Sequence, residues 1–158
     1  MEDQRRVAIS WGLVALQAVL FLGVAAGAVA TGIGPRLPSS LWGGIAVVAA
    51  GVAVLLWAAR NLGSALTPLP LPNGAGLAAH GAYRWMRHPI YTGVILACLG
   101  VAIGAGTMLA YAAALAVAVF FEAKTRLEER WLLGAYEGYA QYAARTGKFL
   151  PGIGRRRA

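Results

Sequence analysis

The sequence predicts an all-α, polytopic membrane protein with about four transmembrane helices, and three observations carry this prediction. Hydrophobic residues make up 59% of the 158 residues, whereas charged residues make up only 13%. Uncharged runs long enough to cross a bilayer alternate with short polar or basic segments. Glycine and alanine are abundant, as in membrane helices that approach one another closely. This composition excludes an ordinary soluble domain, and the length favours one domain over residues 1–158.

The first predicted span is the apolar run from residue 7 to residue 30. Only Ser10 and Gln17 interrupt it, and as a helix it would be roughly 36 Å long, enough to span a membrane with some tilt. A signal peptide is the alternative. We prefer a retained helix, because the run is long for a signal peptide and a second span follows it instead of a soluble domain.

The second predicted span covers residues 41–59 and follows a short loop. Residues 31–40 contain two glycines and two prolines, which are typical of a loop, and Ser39 or Ser40 can cap the next helix. We expect the two spans, within residues 1–59, to anchor the protein in the membrane.

The segment after the second span is rich in proline. The run Thr67-Pro-Leu-Pro-Leu-Pro72 cannot form a regular helix, because alternate prolines remove backbone donors and push their neighbours to extended geometry. Asn73-Gly74 is a turn signal. Because the segment is too apolar for a solvated linker, we expect it to lie on the membrane face or over a pocket.

Residues 91–121 predict a helical hairpin near the C-terminal end. They carry no charge, and one straight helix of this length would measure roughly 46 Å, whereas the hydrocarbon core is about 30 Å thick. Gly104-Ala105-Gly106 near the middle offers a turn. We therefore expect two arms that extend beyond the apolar run.

After the hairpin, residues 122–146 are charged but still periodic. An apolar stripe recurs every four residues: Leu127, Trp131, Ala135 and Tyr139. Two pairs of opposite charge stand four residues apart: Glu122 with Arg126, and Lys124 with Glu128. These spacings predict a helix with one continuous apolar stripe.

The distribution of basic residues predicts the topology. With four spans, the loop at residues 31–40 and the turn near residue 105 share one side of the membrane, and that side holds a single basic residue, Arg36. Of the 14 lysines and arginines, the other 13 face the opposite side. The positive-inside rule then places both termini and residues 60–90 in the cytoplasm, with the protein in the cell membrane.

A basic and aromatic cluster stands directly before the hairpin, in residues 81–93. Arg84, Arg87 and His88 lead into the apolar run. As interfacial anchors they would only hold a helix end at the lipid headgroups. Alternatively, charges pressed against a membrane segment mark a binding site, and arginine and histidine donors suit a carboxylate or a phosphate.

Acidic residues follow on the same predicted membrane face. Glu128 and Glu129 could form a solvated helix face or could complement a cationic ligand, and Arg145 and Lys148 could meet anionic lipid or an anionic substrate head. The face thus offers donors for a carboxylate, acceptors for a cation, and tyrosines that pack on a flat ring. S-adenosylmethionine matches all three features, because it carries a carboxylate, a sulfonium with an ammonium, and an adenine.

Other functions are disfavoured by the sequence. Gly74-Ala-Gly-Leu-Ala-Ala79 matches a GxGxxA pattern, but no βαβ unit surrounds it, which argues against a Rossmann fold. His80 and His88 have no carboxylate nearby in sequence, so no metal site is predicted.

Cys98 is the single cysteine and lies in an apolar run, which excludes a disulfide framework and favours buried packing. The basic residues that give the net charge of +8 flank apolar runs. At such positions we expect them to set the membrane topology and to meet anionic lipid rather than nucleic acid.

Four sequence elements form one combined pattern. They are Gly81-x-Tyr-Arg-x-x-Arg-His-Pro-x-Tyr-x-Gly93, Glu128-Glu129-x-x-Leu132, Tyr139-x-x-Tyr142-x-x-Arg145-Thr146 and Phe149-Leu-Pro151. The pattern resembles the isoprenylcysteine carboxyl methyltransferase family and the related membrane phospholipid methyltransferases. The resemblance covers about residues 60–153, the expected catalytic region. It implies a helical membrane enzyme that uses S-adenosylmethionine without a Rossmann domain.

The resemblance also implies a cytoplasmic cofactor pocket, built from the stretch before the hairpin and the helix after it. The matching cofactor-binding residues are Leu77, Ala78, Tyr83, Arg87, His88, Pro89, Ile90, Tyr91, Glu128 and Glu129. Glu128 would face the cationic end of the cofactor. Lys124 stands where related sequences often have arginine, and it or Arg145 would steer the substrate. Arg145, Lys124 and Glu128 are therefore the predicted catalytic residues.

The chain departs from the family pattern at two places. The segment between the glutamate pair and Tyr139 is one residue shorter than usual, with Tyr136-Glu137 where Phe-Gly is common. Lys148 replaces a frequent arginine. Both departures concern the C-terminal substrate contacts more than the cofactor contacts.

The expected reaction is methyl transfer to a lipophilic acceptor that enters from the bilayer. Our first interpretation is carboxyl O-methylation of an isoprenylcysteine-like molecule or a prenylated protein, because a carboxylate needs positioning and desolvation but no general base. The alternatives are phospholipid amine N-methylation, a non-catalytic lipid-binding membrane protein, and a membrane reductase, which would bind nicotinamide. The sequence predicts no oligomeric state.

Overall fold

The described part of the chain is helical. A computed structural model describes residues 1–63, 66–67 and 76–156, apart from the side chains of residues 2 and 3. The elements are α1 (Glu2–Val29), α2 (Leu41–Leu62), a 3₁₀ turn (Gly81–Arg84), α3 (Pro89–Ala105), α4 (Met108–Ala135) and α5 (Tyr139–Arg145). No strand occurs among these residues, which confirms the all-α prediction.

Three helices are long and apolar enough to cross a membrane. They are α1 from Gln4, α2 and α4, whereas α3 is a shorter apolar helix of 17 residues. A span needs about 17–25 residues, so α3 lies at the lower end of that range. The architecture is that of a polytopic membrane protein, with α3 and α4 as the predicted hairpin.

The turn of the hairpin lies where the glycines predicted it. Gly106 ends α3 with φ of 65°, a left-handed conformation that glycine adopts without strain. Thr107 then caps α4, because its side chain accepts a hydrogen bond of 3.1 Å from the backbone N–H of Ala110. The second span begins in a similar way, with the side chain of Ser40 accepting from the N–H of Gly43.

The 31–40 loop and the hairpin turn meet at one end of the bundle, as the topology prediction requires. The N–H of Leu37 donates to the carbonyl oxygen of Gly106 at 2.9 Å, and Arg36 donates to that of Ala105 at 2.9 Å. The assignment of the opposite end to the cytoplasm stays a prediction.

Helices α1 and α4 run antiparallel. The Thr107 hydroxyl, at the start of α4, donates to the carbonyl oxygen of Gly27 near the end of α1, at 2.6 Å. Further along α4, Lys124 reaches Gln17, which lies nearer the start of α1. The N-terminal end of α1 and the C-terminal end of α4 therefore lie at the same end of the bundle.

Helix α3 lies between α2 and α4, and its glycines let α2 come close. A Cβ on Gly93 would lie 2.6 Å from the carbonyl oxygen of Gly51, and a Cβ on Gly100 would lie 2.6 Å from the backbone nitrogen of Val48. On the other side, α3 and α4 share a buried core with α1. This core contains Val24, Cys98, Ala102, Ala110, Ala114, Val117, Phe120 and Phe121.

The prediction of one continuous apolar stripe after the hairpin is wrong. Helix α4 runs to Ala135, but the chain leaves the helix at Tyr136, which has an extended conformation. Gly138 then adopts φ of 86° and begins the separate helix α5. Tyr139 therefore does not continue the apolar stripe that begins at Leu127, because the helix ends before it and the backbone turns at Gly138.

Some sequence predictions lie outside the described residues. They are the proline run beyond Thr67, the Asn73-Gly74 turn, and the first part of the Gly74–Ala79 pattern. The division into an anchoring part and a catalytic region also stays a prediction.

We predict that Gly100→Ala destabilises the bundle in detergent. The added methyl would overlap the backbone of α2 at Val48 and force the two helices apart, and overpacking of this kind costs roughly 1–3 kcal/mol. Gly104→Ala is the control in the same helix, because a Cβ there meets nothing within 4 Å. Thermal unfolding followed by circular dichroism should show a lower midpoint for Gly100→Ala only. Equal midpoints would contradict the close α2–α3 contact.

Candidate functional site

The basic cluster and the glutamate pair, far apart in sequence, meet where α3 begins. His88 precedes α3 and Pro89 occupies its first turn, a position that suits proline because the missing N–H is not needed there. The side chains of Arg87 and His88 lie against Glu129 of α4. The fold thus joins the two motifs that the sequence singled out.

Arg87 is buried and held entirely by protein groups. Its Nε donates to Oε1 of Glu129 at 2.8 Å. Its two terminal nitrogens donate to the carbonyl oxygens of Ala143, Thr146 and Gly154. Only the planar fork of arginine can reach so many acceptors at once. Arg87 therefore ties the start of α3 to α4, α5 and the C-terminal segment.

Glu129 is surrounded by basic side chains of the protein itself. Besides Arg87, its Oε1 lies 3.1 Å from Nε2 of His88, and its Oε2 lies 3.7 Å from a guanidinium nitrogen of Arg156. Both Glu129 and His88 are buried. Because a buried carboxylate must be paired, the protein uses this one to hold its own basic groups.

Residues 146–154 form a strap across the basic cluster. The N–H groups of Arg87 and His88 donate to the carbonyl oxygens of Gly147 and Lys148 at 2.8 and 3.1 Å. The Thr92 hydroxyl of α3 donates to the carbonyl oxygen of Phe149 at 2.7 Å. The C-terminal motif that the sequence analysis associated with substrate contacts therefore also closes the structure around Arg87.

Glu128 differs from its neighbour, because it is only half-buried. Its Oε2 accepts a hydrogen bond of 3.0 Å from the Tyr91 hydroxyl. Among the described residues it forms no salt bridge. The Tyr91 ring stacks on Phe121 with 4.6 Å between ring centroids and on His88 with 5.6 Å. Glu128 thus stands beside a wall of flat rings, and the charge of Lys124 on the same helix acts on it without salt-bridge contact.

Lys124 is a buried cation whose hydrogen-bond partner comes from the first helix. Its Nζ donates to Oε1 of Gln17 at 2.9 Å and lies 5.1 Å from the centroid of the Tyr91 ring. The predicted Lys124–Glu128 salt bridge is absent from the described part of the chain. The other predicted pair, Glu122 with Arg126, forms at 2.9 Å.

Gln17 is a site residue that the sequence analysis assigned to an anchor. The sequence did contain a signal for this role, because Gln17 is a lone amide in an otherwise apolar run. A polar side chain inside a membrane helix usually has a polar partner. The sequence could not reveal the partner, because Gln17 and Lys124 stand 107 residues apart.

Three buried tyrosines, Tyr83, Tyr139 and Tyr142, lie on the α5 side of the site. The Tyr142 hydroxyl donates to the backbone carbonyl oxygen of Tyr83 at 2.6 Å, and burial raises the pKa of both phenols. Tyr139 is also buried, but its hydroxyl has no hydrogen-bond partner among the described residues. Both tyrosines of α5 belong to the third sequence motif, and Tyr139 was also predicted as the last member of the apolar stripe.

The remaining predicted site residues divide into two groups. Leu77 packs against the Tyr139–Tyr142 cluster, and Ala78 and Ile90 pack against Tyr83. Arg145 lies apart from them, exposed on α5, with its Nε 3.3 Å from the carbonyl oxygen of Gln141.

No metal centre is visible in the described ranges. No group of three or more histidine, cysteine, aspartate or glutamate side chains that could hold a metal ion occurs there.

Sequence comparison identifies the family. The sequence profile of the phospholipid methyltransferase family matches residues 39–138, which include α2, α3, α4 and the glutamate pair. The chain belongs to the phospholipid methyltransferase family. This confirms the resemblance inferred from the motifs, and it supports a membrane methyltransferase.

Two curated proteins share part of this chain. The cobalt-zinc-cadmium resistance protein CzcN of Cupriavidus metallidurans is 42% identical over 78 residues, which are 48% of this chain and 35% of CzcN. The uncharacterized protein YpbQ of Bacillus subtilis is 41% identical over 66 residues, 40% of this chain and 39% of YpbQ. The matched segments thus span less than half of each relative.

We predict that Arg87→Lys lowers the stability of this phospholipid methyltransferase family member. A lysine retains the charge but cannot bridge Glu129 and the carbonyl oxygens of α5 and the strap, and losing two charged hydrogen bonds costs at least about 2 kcal/mol. Arg84→Lys is the matched control, because Arg84 is exposed, with its guanidinium 5.8 Å from the centroid of Trp85. Thermal unfolding in detergent measures both. A midpoint for Arg87→Lys within 1–2 °C of wild type, roughly the effect of less than 1 kcal/mol, would contradict the structural role of Arg87.

Proposed function

We propose that this protein is an S-adenosylmethionine-dependent methyltransferase that acts on a lipophilic acceptor at the membrane surface. One observation carries the proposal: the two adjacent glutamates have different surroundings. Glu129 is paired with Arg87 and His88, whereas Glu128 is half-buried with only the Tyr91 hydroxyl as its hydrogen-bond partner among the described residues. A carboxylate that forms no salt bridge in the described part of the chain, at the end of a membrane helix, suits a cationic ligand.

The residues present fit such a methyl donor. Glu128 provides the negative charge that a sulfonium or an ammonium needs, and the rings of Tyr91 and His88 beside it are flat and nearly parallel, 10° apart. Leu77, Ala78 and Ile90 would add apolar surface. Bound S-adenosylmethionine supplies an electrophilic methyl group. Arg87 and Glu129 would act by holding Glu128, His88 and the strap in place rather than by touching the ligand.

Lys124 favours an anionic acceptor. It is 3% exposed and has an amide rather than a carboxylate as its hydrogen-bond partner in the described structure. A buried ammonium that forms no salt bridge in the described part of the chain attracts a carboxylate, and a carboxylate acceptor has to be positioned and desolvated but not deprotonated. This supports carboxyl O-methylation of an isoprenylcysteine-like acceptor that enters from the bilayer. Arg145, exposed on α5, would steer the polar end of that acceptor.

Phospholipid amine N-methylation is the second candidate, and the family assignment favours it. An ammonium acceptor would meet repulsion from Lys124, and its amine would first have to lose a proton. We therefore place this reaction second. In either case the positive-inside rule places the site and both termini on the cytoplasmic side of the cell membrane.

We predict that Glu128→Gln weakens binding of S-adenosylhomocysteine roughly 10–100-fold, because a charged hydrogen bond contributes about 1.5–3 kcal/mol. Isothermal titration of the detergent-purified protein measures the dissociation constant. Glu137→Gln is the control, since Glu137 is exposed between α4 and α5. Folded wild-type protein that does not bind the ligand would remove the methyltransferase proposal and favour a non-catalytic lipid-binding protein. Added NADPH then tests for a reductase.

We predict that Lys124→Met abolishes most transfer to a carboxylate acceptor while leaving S-adenosylhomocysteine affinity within about threefold, since less than 1 kcal/mol of cofactor binding depends on it. Transfer of a labelled methyl group to N-acetyl-S-farnesylcysteine and to dioleoyl phosphatidylethanolamine measures the two reactions in parallel. Arg130→Met, an exposed position on the same helix, is the control. Transfer to the phospholipid alone would favour N-methylation.

A further inference from the structure

Tyr139 carries a polar atom that the fold leaves without a partner. The side chain is 2% exposed, and its hydroxyl has no hydrogen-bond partner in the part of the chain that the structure describes. Buried polar groups in native proteins nearly always have a partner, so each exception calls for a water or a ligand. The hydroxyl therefore retains its hydrogen-bonding capacity for a water or a ligand.

The neighbouring tyrosine of the same helix shows that the fold can satisfy such a group. Tyr142 belongs to the same cluster as Tyr139, with 5.9 Å between ring centroids. Its hydroxyl donates to the carbonyl oxygen of Tyr83 and so fastens α5 to the 3₁₀ turn. The Tyr142 hydroxyl therefore has a structural hydrogen bond, whereas the Tyr139 hydroxyl has none within the described ranges.

The surroundings of Tyr139 define what it can do. Burial, and then the negative charge of Glu129, raise the pKa of the phenol, whereas the charge of Arg87 lowers it. Because burial has the largest effect, the phenol keeps its proton and acts as a hydrogen-bond donor. Leu77, Leu132 and Leu133 pack around its cluster. A donor among leucines suits a neutral, flat acceptor, since burying a carboxylate there would be costly.

We propose that the Tyr139 hydroxyl donates a hydrogen bond to the nucleoside half of the methyl donor. This inference rests on the proposed function and extends it to a residue on α5, outside the two charged motifs. Leu77 precedes the 3₁₀ turn and packs on the same cluster, so the two residues would hold the adenine between α5 and the segment before that turn. Tyr139 is then a cofactor-binding residue, and Glu128 holds the opposite, cationic end.

The test compares Tyr139→Phe with Tyr142→Phe. Each variant removes one oxygen and keeps the ring, so the packing of the cluster is retained. Titrations with S-adenosylhomocysteine and with 5′-methylthioadenosine, which lacks the amino-acid half, give dissociation constants, and thermal unfolding without ligand gives stability. We expect Tyr139→Phe to weaken both ligands by the same factor, roughly 5–20-fold, with an unchanged or higher unfolding midpoint. We expect Tyr142→Phe to lower the midpoint, because it removes a satisfied hydrogen bond.

The other possible results separate three claims: that the hydroxyl contacts the cofactor, that it contacts the nucleoside half, and that the protein binds the methyl donor at all. If wild type and Tyr139→Phe bind S-adenosylhomocysteine equally, the hydroxyl does not contact the cofactor, while the proposed function stands. If only S-adenosylhomocysteine is weakened, or if wild type does not bind 5′-methylthioadenosine, the assignment to the nucleoside is wrong. If wild type binds neither ligand, the proposed function fails, and this assignment fails with it.

Discussion

The buried guanidinium of Arg87 is the interaction on which the rest of the site depends. It pairs with Glu129 of α4 and donates to three backbone carbonyl oxygens, one in α5 and two in the strap of residues 146–154. A charge this deeply buried is tolerated only when nearly all of its donors are used. Satisfying Arg87 therefore requires that four separate segments come together, and the candidate site is their meeting point.

This arrangement separates two carboxylates that are adjacent in sequence. Consecutive residues of a helix point in directions about 100° apart, so Glu128 and Glu129 cannot share one environment. Glu129 faces the basic cluster and pairs with it, whereas Glu128 faces Tyr91 and has no salt-bridge partner in the described part of the chain. One member of the pair maintains the structure, and the other is the residue that we propose for a cationic ligand. The same division holds for the tyrosines of α5, since Tyr142 fastens the helix, whereas the Tyr139 hydroxyl has no hydrogen-bond partner among the described residues.

The membrane helices also take part in the site. Close contact between the glycines of α2 and α3 holds the start of α3 in place, and α1 brings Gln17 to Lys124. A lysine buried beside aromatic rings needs a polar partner, which a purely apolar anchor would not provide. The segment expected only to hold the protein in the bilayer thus orients a side chain proposed to meet the acceptor.

The sequence by itself determined the helical membrane architecture, the hairpin turn at Gly106 and the family. These depend on local features: the length of apolar runs, a glycine that can take a positive φ, and motif spacing. It also identified Lys124, Glu128, His88 and Tyr91 as site candidates. Only the tertiary structure decided which of these side chains already have hydrogen-bond partners within the protein, because those partners are distant in sequence. Gln17 lies 107 residues from Lys124, and Gly154 lies 67 residues from Arg87. The break at Gly138, which turns Tyr139 inward, was likewise invisible to periodicity, since the apolar spacing continues across it.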